Sequence, residues 1–184
     1  MEDIIDEVFK DYLANKEVDS ILHIGGEHGQ EGPIYEKICN RFLYIEPIEE
    51  YANYIKDRGY EVMQIAVGDF DGNMYISGRA SSLLRPLEHK ISGTIEVECI
   101  PLSDIEEGFD TLVLDVQGAA LNILKTGSLN DFNTIICEAS EAPRYEGEQV
   151  ISEITSYLKE KGFKFIKSYQ HSIYDIYDLV FERI

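Results

Sequence analysis

The sequence predicts an α/β fold in which helices cover both faces of a mainly parallel sheet. Apolar, strand-like runs alternate with helical segments along most of the 184 residues, which is typical of parallel sheets joined by right-handed crossovers. The last two strand-like runs, Phe163 to Tyr169 and Ile176 to Phe181, are separated by a link too short for a helical crossover. They are therefore predicted to form an antiparallel hairpin at the end of the chain.

The chain is expected to form a single domain, residues 1–184, which is long enough to bury a substantial core. Residues 1–19 are predicted to form an amphipathic helix, Glu2 to Leu13, followed by a polar link. The other predicted elements before the hairpin are the strands Ile21 to Ile24, Arg41 to Glu46, Glu61 to Ile65, Asp110 to Asp115 and Thr134 to Glu138, and the helices Pro33 to Asn40, Ile48 to Arg58, Ala119 to Lys125 and Glu148 to Lys161.

Residues 72–100 interrupt this alternation and are predicted to form an inserted hairpin and loop. A turn signal at Asp71-Gly72 precedes a weakly alternating run, and Thr94 to Ile100 alternates clearly between apolar and polar residues. These two strands flank a long polar excursion, Gly78 to Gly93. A loop of that length inside a small domain is commonly functional.

The charge balance disfavours several classes of partner. The chain has 16 basic and 35 acidic residues, a net charge of −19, and its field repels phosphate backbones and anionic lipids. Neither nucleic acid nor a membrane is therefore expected as a partner. Cys39, Cys99 and Cys137 are far apart and odd in number, which indicates neither a disulfide framework nor a metal site. A cytoplasmic location is expected, since the N-terminus does not resemble a signal peptide.

The stretch from Ser20 to Gly32 predicts a ligand site. An apolar strand ends at Gly25 and Gly26, Gly29 follows, and Pro33 is placed at the first position of the next helix. Glu46 stands 21 positions after Gly25, at the end of the next predicted strand. An acidic residue with that spacing commonly accepts hydrogen bonds from ribose hydroxyls. The ligand is therefore predicted to contain a nucleoside.

Acidic residues follow the predicted strands repeatedly. Glu46, Asp69, Asp115 and Glu138 all stand at or just beyond a strand end. Because the carboxyl ends of parallel strands meet at one edge of the sheet, these four side chains are expected near one site there.

An ordered set of motifs resembles a known family. HIGGEHGQ, IEP, AVGD followed by DG, SSL, LDVQGAALNIL and ICE are similar to the FkbM-type branch of class I S-adenosylmethionine-dependent methyltransferases. The similarity extends from about Ser20 to the C-terminal hairpin. It implies a Rossmann-like methyltransferase fold, with seven strands of which the last is inserted antiparallel, and S-adenosylmethionine as the cofactor. It also implies methylation of a hydroxyl on a sugar or another small molecule, with the acceptor held by the loops 78–93 and 139–147.

The resemblance also implies roles for individual residues. It implies that the glycine turn cradles the methionine and ribose portions of the cofactor, that Glu46 binds the ribose, and that Pro47 and the segment Ala66 to Asp69 border the adenine. Asp115 is implied beside the sulfonium, facing the acceptor. The predicted cofactor-binding residues are His23, Gly25, Gly26, Glu27, Gly29, Glu46, Pro47, Ala66, Asp69 and Asp115.

Two carboxylates are candidates for the chemistry. Methyl transfer to a hydroxyl requires alignment of donor and acceptor and removal of the hydroxyl proton. Asp115 is the first candidate for the base or orienting group, and Glu138 is the second. His23 and His28 lack a ligand partner at metal spacing and are interpreted as polar loop residues. Ser81 and Ser82 are interpreted as loop-capping residues, because no serine, histidine and acid arrangement is visible.

Two other functions compete with methyl transfer. A nicotinamide-dependent dehydrogenase requires G-x-G-x-x-G, and Ile24 takes the place of its first glycine. A non-catalytic binding or assembly module that retains the fold is the second alternative. It is favoured by His23, where the family usually has an acid, and by Ala120, where the family often has a glutamate.

Overall fold

The computed structural model describes residues 7–16, 18–69, 72–171 and 175–184. The described strands are β1 (Ser20–Ile24), β2 (Arg41–Ile45), β3 (Val62–Met63), β4 (Ala66–Val67), β5 (Gly72–Ile76), β6 (Gly93–Val97), β7 (Cys99–Ile100), β8 (Thr111–Leu114), β9 (Thr134–Ser140), β10 (Phe163–Gln170) and β11 (Ile176–Arg183). The described α-helices are α1 (Gly32–Ile38), α2 (Glu49–Asp57), α3 (Ala120–Leu124) and α4 (Ile151–Glu160).

The main sheet confirms the predicted topology. It has seven strands in the order β10-β11-β9-β8-β1-β2-β3, and the pairs from β9 to β3 are all parallel. Strand β11 lies between β10 and β9 and is antiparallel to both. Strands β10 and β11 therefore form the predicted antiparallel pair at the end of the chain.

Helices cover both faces of this sheet, as predicted. The central strands β1 and β8 are buried along their whole length, which is typical of parallel strands covered on both sides. Leu22 and Leu112 pack with α3 and α4 on one face. On the opposite face, Ile21 and Val113 pack with α1, α2 and the N-terminal segment. None of the helices in the described part of the chain has the length and apolar character that a bilayer crossing requires.

The N-terminal segment differs from the predicted α-helix. Val8–Tyr12 forms a π-helical turn and Leu13–Asn15 a 3-10 turn, while residues 2–6 of the predicted helix lie outside the described residues. Val8, Phe9 and Leu13 are nevertheless buried against the sheet. Pro33 occupies the second helical position of α1, because Gly32 takes the first.

Two predicted strands differ from the structure. The predicted strand from Glu61 to Ile65 contains only β3, and the segment that follows it, β4, leaves the main sheet to pair in parallel with β7. The predicted strand from Thr94 to Ile100 breaks at Glu98, so that β6 pairs with β5 and β7 pairs with β4. The inserted hairpin therefore exists, but its second strand serves two small sheets. Asp71, in the predicted turn, lies outside the described residues.

Strand β9 extends beyond its predicted end. It continues to Ser140 because β11 pairs with it along that whole length, with Asp178 opposite Glu138. Glu138 therefore lies inside the strand, and its prediction as a strand-end residue is wrong.

The turn after β1 brings two main-chain segments unusually close together. Gly25 has φ +88°, and a Cβ atom there would lie 1.8 Å from the carbonyl oxygen of Asp115. The amide of Asp115 donates to the carbonyl of Ile24 at 3.0 Å, which fixes the two strand ends side by side. Only glycine satisfies both the backbone angle and the space at this position.

Gly25→Ala is predicted to reduce the free energy of unfolding by about 3 kcal/mol or more, from left-handed strain plus steric overlap. Gly59→Ala is the matched control. Gly59 has φ +87°, but a Cβ atom there would meet nothing within 4 Å, so only the strain remains. That strain costs about 1–2 kcal/mol. Urea unfolding of both variants measures the difference. Equal losses would show that the contact with Asp115 is not a constraint.

Candidate active site

A cavity of about 360 Å³ opens at the carboxyl edge of the main sheet. It lies beyond the ends of β1, β2 and β8 and beside β4 and β9, where ligands bind in parallel α/β sheets. Among the sequence-predicted site residues, those that line it are Gly25, Glu27, Glu46, Pro47, Ala66, Asp115 and Glu138. The two candidate carboxylates for chemistry, Asp115 and Glu138, are thus brought to the same cavity as the predicted ribose-binding residue.

Glu46 connects the end of β2 to the glycine turn. Its side chain is only 4% exposed, and its two oxygens accept hydrogen bonds from the amides of Glu27 at 3.0 Å and Ile48 at 2.9 Å. Burial raises the pKa of Glu46 to about 7, and the negative charge of Asp115 acts in the same direction, while the two amide bonds oppose the shift. The carboxylate is therefore held in place at the cavity wall and titrates near neutral pH.

The amides of the glycine turn are directed toward β2. Gly25 and Gly26 both donate to the carbonyl of Ile45, at 2.9 and 3.3 Å, and Glu27 donates to Glu46. These three N–H groups therefore hold the turn against the neighbouring strand, which differs from the expectation of a turn whose backbone cradles the ligand.

Several predicted site residues lie outside the cavity lining. Asp69 is exposed beyond β4. The missing side chain of Gly26 makes room for Tyr44, since a Cβ atom there would lie 2.6 Å from that ring. A Cβ atom at Gly29 would lie 3.2 Å from the side chain of Ile55. Gly26 and Gly29 thus allow α2 and β2 to pack closely against the turn.

His23 is a core residue, and its interpretation as a polar loop residue is wrong. It lies in β1, is 3% exposed, and its ring packs among Phe9, Tyr35 and Tyr44. Its Nδ1 atom is 2.9 Å from the hydroxyl of Tyr35, and burial lowers its pKa to about 3, so the ring is neutral. Strand alternation explains the placement, because Ile24 faces the cavity and His23 therefore faces the other side of the sheet.

Asp115 is positioned by residues that the sequence patterns did not single out. Gln117 donates from Nε2 to Oδ1 of Asp115 at 2.7 Å, and its own Oε1 accepts from the hydroxyl of Tyr145 at 3.1 Å. Gln117 has φ +49°, a left-handed conformation that non-glycine residues rarely adopt and that is often found at functional sites. Gly118, which follows Gln117 in LDVQGAALNIL, indicates a tight turn, but the sequence does not indicate the hydrogen bond between Gln117 and Asp115.

The 78–93 loop forms one wall of the cavity. Arg79 donates to both carboxylate oxygens of Glu27, at 2.8 and 2.7 Å, and Ser82 donates to the carbonyl of Gln117 at 2.7 Å. The hydroxyl of Ser81 donates to the carbonyl of Gly78, which agrees with its predicted capping role. The loop is thus joined both to the glycine turn and to the segment after β8.

The far end of the cavity carries basic side chains that no sequence motif indicated. Arg144, His89 and His171 line it together with Glu138. The guanidinium of Arg144 lies 2.9 Å from Nε2 of His89. Because arginine only donates, that nitrogen of His89 accepts, and its ring proton is on Nδ1. No local sequence spacing connects these residues, which come from three separate segments.

Comparisons with known proteins identify the family of the chain. A model of the methyltransferase FkbM domain matches residues 23–165. No curated protein sequence gives a significant match to the chain.

Solved structures share the fold at low sequence identity. Magnesium protoporphyrin IX methyltransferase from Synechocystis, with bound SAM, has a TM-score of 0.63 and 12% identity, covering 96% of this chain and 76% of that one. A proposed S-adenosylmethionine-dependent methyltransferase from Listeria monocytogenes has a TM-score of 0.61 and 10% identity, covering 96% of each chain. A proposed RNA methyltransferase from Pyrococcus horikoshii has a TM-score of 0.58 and 10% identity, covering 96% of this chain and 80% of that one.

The raised pKa of Glu46 predicts a pH-dependent loss of stability. Between pH 4.5 and 7 the native carboxyl holds a proton that the unfolded chain releases, so the unfolding free energy falls as pH rises through this window. Glu46→Gln removes this titration. The stability of the native protein relative to that variant is expected to fall by about 3 kcal/mol from about pH 4.5 to about pH 7.5. Urea unfolding of both proteins at several pH values measures it, and a constant difference would contradict the shift.

Proposed function

The chain belongs to the methyltransferase FkbM domain family, and we propose that it methylates a hydroxyl group on a small molecule or a sugar. Because it belongs to this family, the chain is an S-adenosylmethionine-dependent methyltransferase. The observation that carries the proposal is that Glu46, at the end of β2, and Asp115, at the end of β8, line one cavity. One wall of this cavity suits a nucleoside, and the other offers carboxylates to a hydroxyl.

The residues at the β2 side fit the adenosine part of the cofactor. Each oxygen of Glu46 accepts one amide hydrogen bond, and a carboxylate oxygen has lone pairs for a second, which suits a ribose diol. Pro47, Ala66 and Val67 supply apolar wall for the adenine. When bound, the cofactor supplies an electrophilic methyl group on a sulfonium.

Asp115 is the proposed base or orienting group for the acceptor. In the proposed reaction the carboxylate of Asp115 would accept the hydroxyl proton of the acceptor, while the bound cofactor would supply the methyl group. Gln117 holds that carboxylate in one orientation at 2.7 Å. Alignment of this kind contributes up to about 7–11 kcal/mol to such a displacement. Glu138, on the same cavity wall, is the second candidate for this role.

A non-catalytic module is favoured less, because the two departures from the family pattern lie away from the cavity. His23 packs in the aromatic core behind β1, and Ala120 is buried at the start of α3. Neither residue lines the cavity. Their identities therefore affect core packing and leave the proposed cofactor and acceptor walls unchanged.

Charge and shape support a small acceptor. The net charge of −19 opposes a polyanionic substrate such as RNA. The 78–93 loop and the segment before α4 also pair with each other, since the amide of Leu87 donates to the carbonyl of Arg144 at 2.9 Å. Together they enclose the acceptor end, and a cavity of this size is in the usual range for small-molecule sites.

Glu46→Gln is predicted to weaken S-adenosylhomocysteine binding by about tenfold, because the amide replaces one acceptor oxygen with a donor. Isothermal titration calorimetry measures the affinity. Glu49→Gln is the matched control, since Glu49 is exposed in the first turn of α2 and does not line the cavity. Equal affinities of the two variants would remove Glu46 from the cofactor site.

Asp115→Asn is predicted to lower methyl transfer by about 10²- to 10⁴-fold and to leave the fold intact. Mass spectrometry of hydroxylated small molecules incubated with S-adenosylmethionine identifies the acceptor and measures turnover. Asp131→Asn is the control, because Asp131 is exposed just before β9, at the opposite edge of the sheet. Unchanged turnover in Asp115→Asn would exclude a catalytic role, and transfer to RNA alone would overturn the proposed acceptor class.

A further inference from the structure

The amino-acid end of S-adenosylmethionine needs a binding partner that the glycine turn does not provide. This end is a zwitterion, with an α-carboxylate and an α-ammonium group. The turn amides of Gly25, Gly26 and Glu27 are already donated to Ile45 and Glu46. A carboxylate bound at this wall must therefore draw its hydrogen bonds from another donor, and a cationic side chain gives the strongest ones.

Arg79 is the cavity-lining arginine that contacts the glycine turn. Its Nε and Nη2 atoms donate to the two oxygens of Glu27, at 2.8 and 2.7 Å. Arg79 is 61% exposed at its side chain and Glu27 18%, so the pair lies at the rim of the cavity. A guanidinium presents N–H donors along more than one edge of a fixed plane, and this geometry allows one arginine to bind two carboxylates.

The backbone around Arg79 is held in a defined turn. The hydroxyl of Ser81, which is buried, donates to the carbonyl of Gly78 at 2.6 Å and accepts from the amide of Ser77 at 2.9 Å. The amide of Ala80 donates to the carbonyl of Ser77 at 3.2 Å. These bonds place Arg79 beside Glu27 from a segment 52 residues further along the chain.

We propose that Arg79 and Glu27 together bind the amino-acid end of the cofactor, Arg79 holding the α-carboxylate and Glu27 the α-ammonium. The zwitterion has the same two charges as this pair, so each end of the ligand meets an opposite charge. Glu27 lies next to the proposed ribose position, since its amide donates to the carboxylate of Glu46, and both residues line the cavity. The inference rests on the proposed cofactor orientation.

A consequence follows for the 78–93 loop. The same segment carries Arg79 and, through Ser82, reaches the carbonyl of Gln117, whose side chain holds Asp115. Binding of the α-carboxylate by Arg79 therefore fastens the wall of the acceptor site when the cofactor is present. The loop, which the family resemblance assigns to the acceptor, serves the cofactor as well.

Two ligands that differ only at the amino-acid end test the inference. S-adenosylhomocysteine carries the zwitterion, whereas 5′-methylthioadenosine has the same adenosine and a methyl group in its place. Calorimetry measures both affinities for the native protein, Arg79→Gln and Arg85→Gln. Arg85 is the matched control, since it is in the same loop, is 57% exposed, pairs with Glu146 at 3.8 Å, and does not line the cavity.

Arg79→Gln is expected to weaken the binding of S-adenosylhomocysteine about tenfold. This is the lower end of the range for losing a charge-assisted hydrogen bond, because the side chain of Arg79 is partly exposed. It is expected to leave 5′-methylthioadenosine unchanged, which also shows that the variant is folded. Arg85→Gln is expected to change neither affinity.

Three results would overturn the inference. Unchanged binding of S-adenosylhomocysteine to Arg79→Gln would exclude the contact with the carboxylate. Equal weakening of both ligands would assign Arg79 a structural role in the loop. Binding of neither ligand to the native protein would reject the proposed cofactor site itself, and the inference with it, which distinguishes that failure from the first two.

Discussion

The cavity depends on one close backbone contact, the passage of Gly25 over the carbonyl of Asp115. A side chain at Gly25 would lie 1.8 Å from that oxygen, so the two strand ends approach each other only because residue 25 has none. After this contact the chain turns from β1 toward the end of β2, where the amides of Gly25 and Gly26 donate hydrogen bonds to the carbonyl of Ile45. Main-chain packing thus fixes the position of the end of β2, which carries Glu46, relative to the end of β8, which carries Asp115.

Glu46 both holds the backbone of the site together and contributes to its electrostatics. Its two oxygens bind the amides of Glu27 and Ile48, so the same carboxylate closes the glycine turn and the start of α2. Burial makes the charged form costly, and the amide bonds recover only part of that cost, which is why its pKa lies near 7. A buried acid with this pKa is typical of a functional position, because its charge is sensitive to what binds beside it.

Much of the fold follows from local pattern, whereas much of the site does not. Alternation of strands and helices predicts the parallel sheet, and the short link after β10 predicts the hairpin. Gly25 and Glu46 stand in a recognisable spacing because both are at strand ends. Arg79 and Gln117 have no such signal, since Arg79 meets Glu27 across 52 positions and Gln117 meets Tyr145 across 28. Those contacts arise from how loops pack over a finished sheet, which local periodicity does not encode. His23 was misjudged because its polarity outweighed its strand position.

The two ends of the cavity differ in the charged side chains that line them. Burial is the main cause of the raised pKa of Glu46, and the negative charge of Asp115 adds to it, since the two carboxylates repel each other. In the proposed binding mode a sulfonium lies beside Asp115, and a positive charge there lowers that repulsion and favours ionised Glu46 at neutral pH. The sulfur of the demethylated product is uncharged and does not reduce the repulsion between Asp115 and Glu46. Under this proposed binding mode, the pair of acids would favour the donor over its product. Arg144 and His89 lie at the far end of the cavity, next to the position proposed for the acceptor.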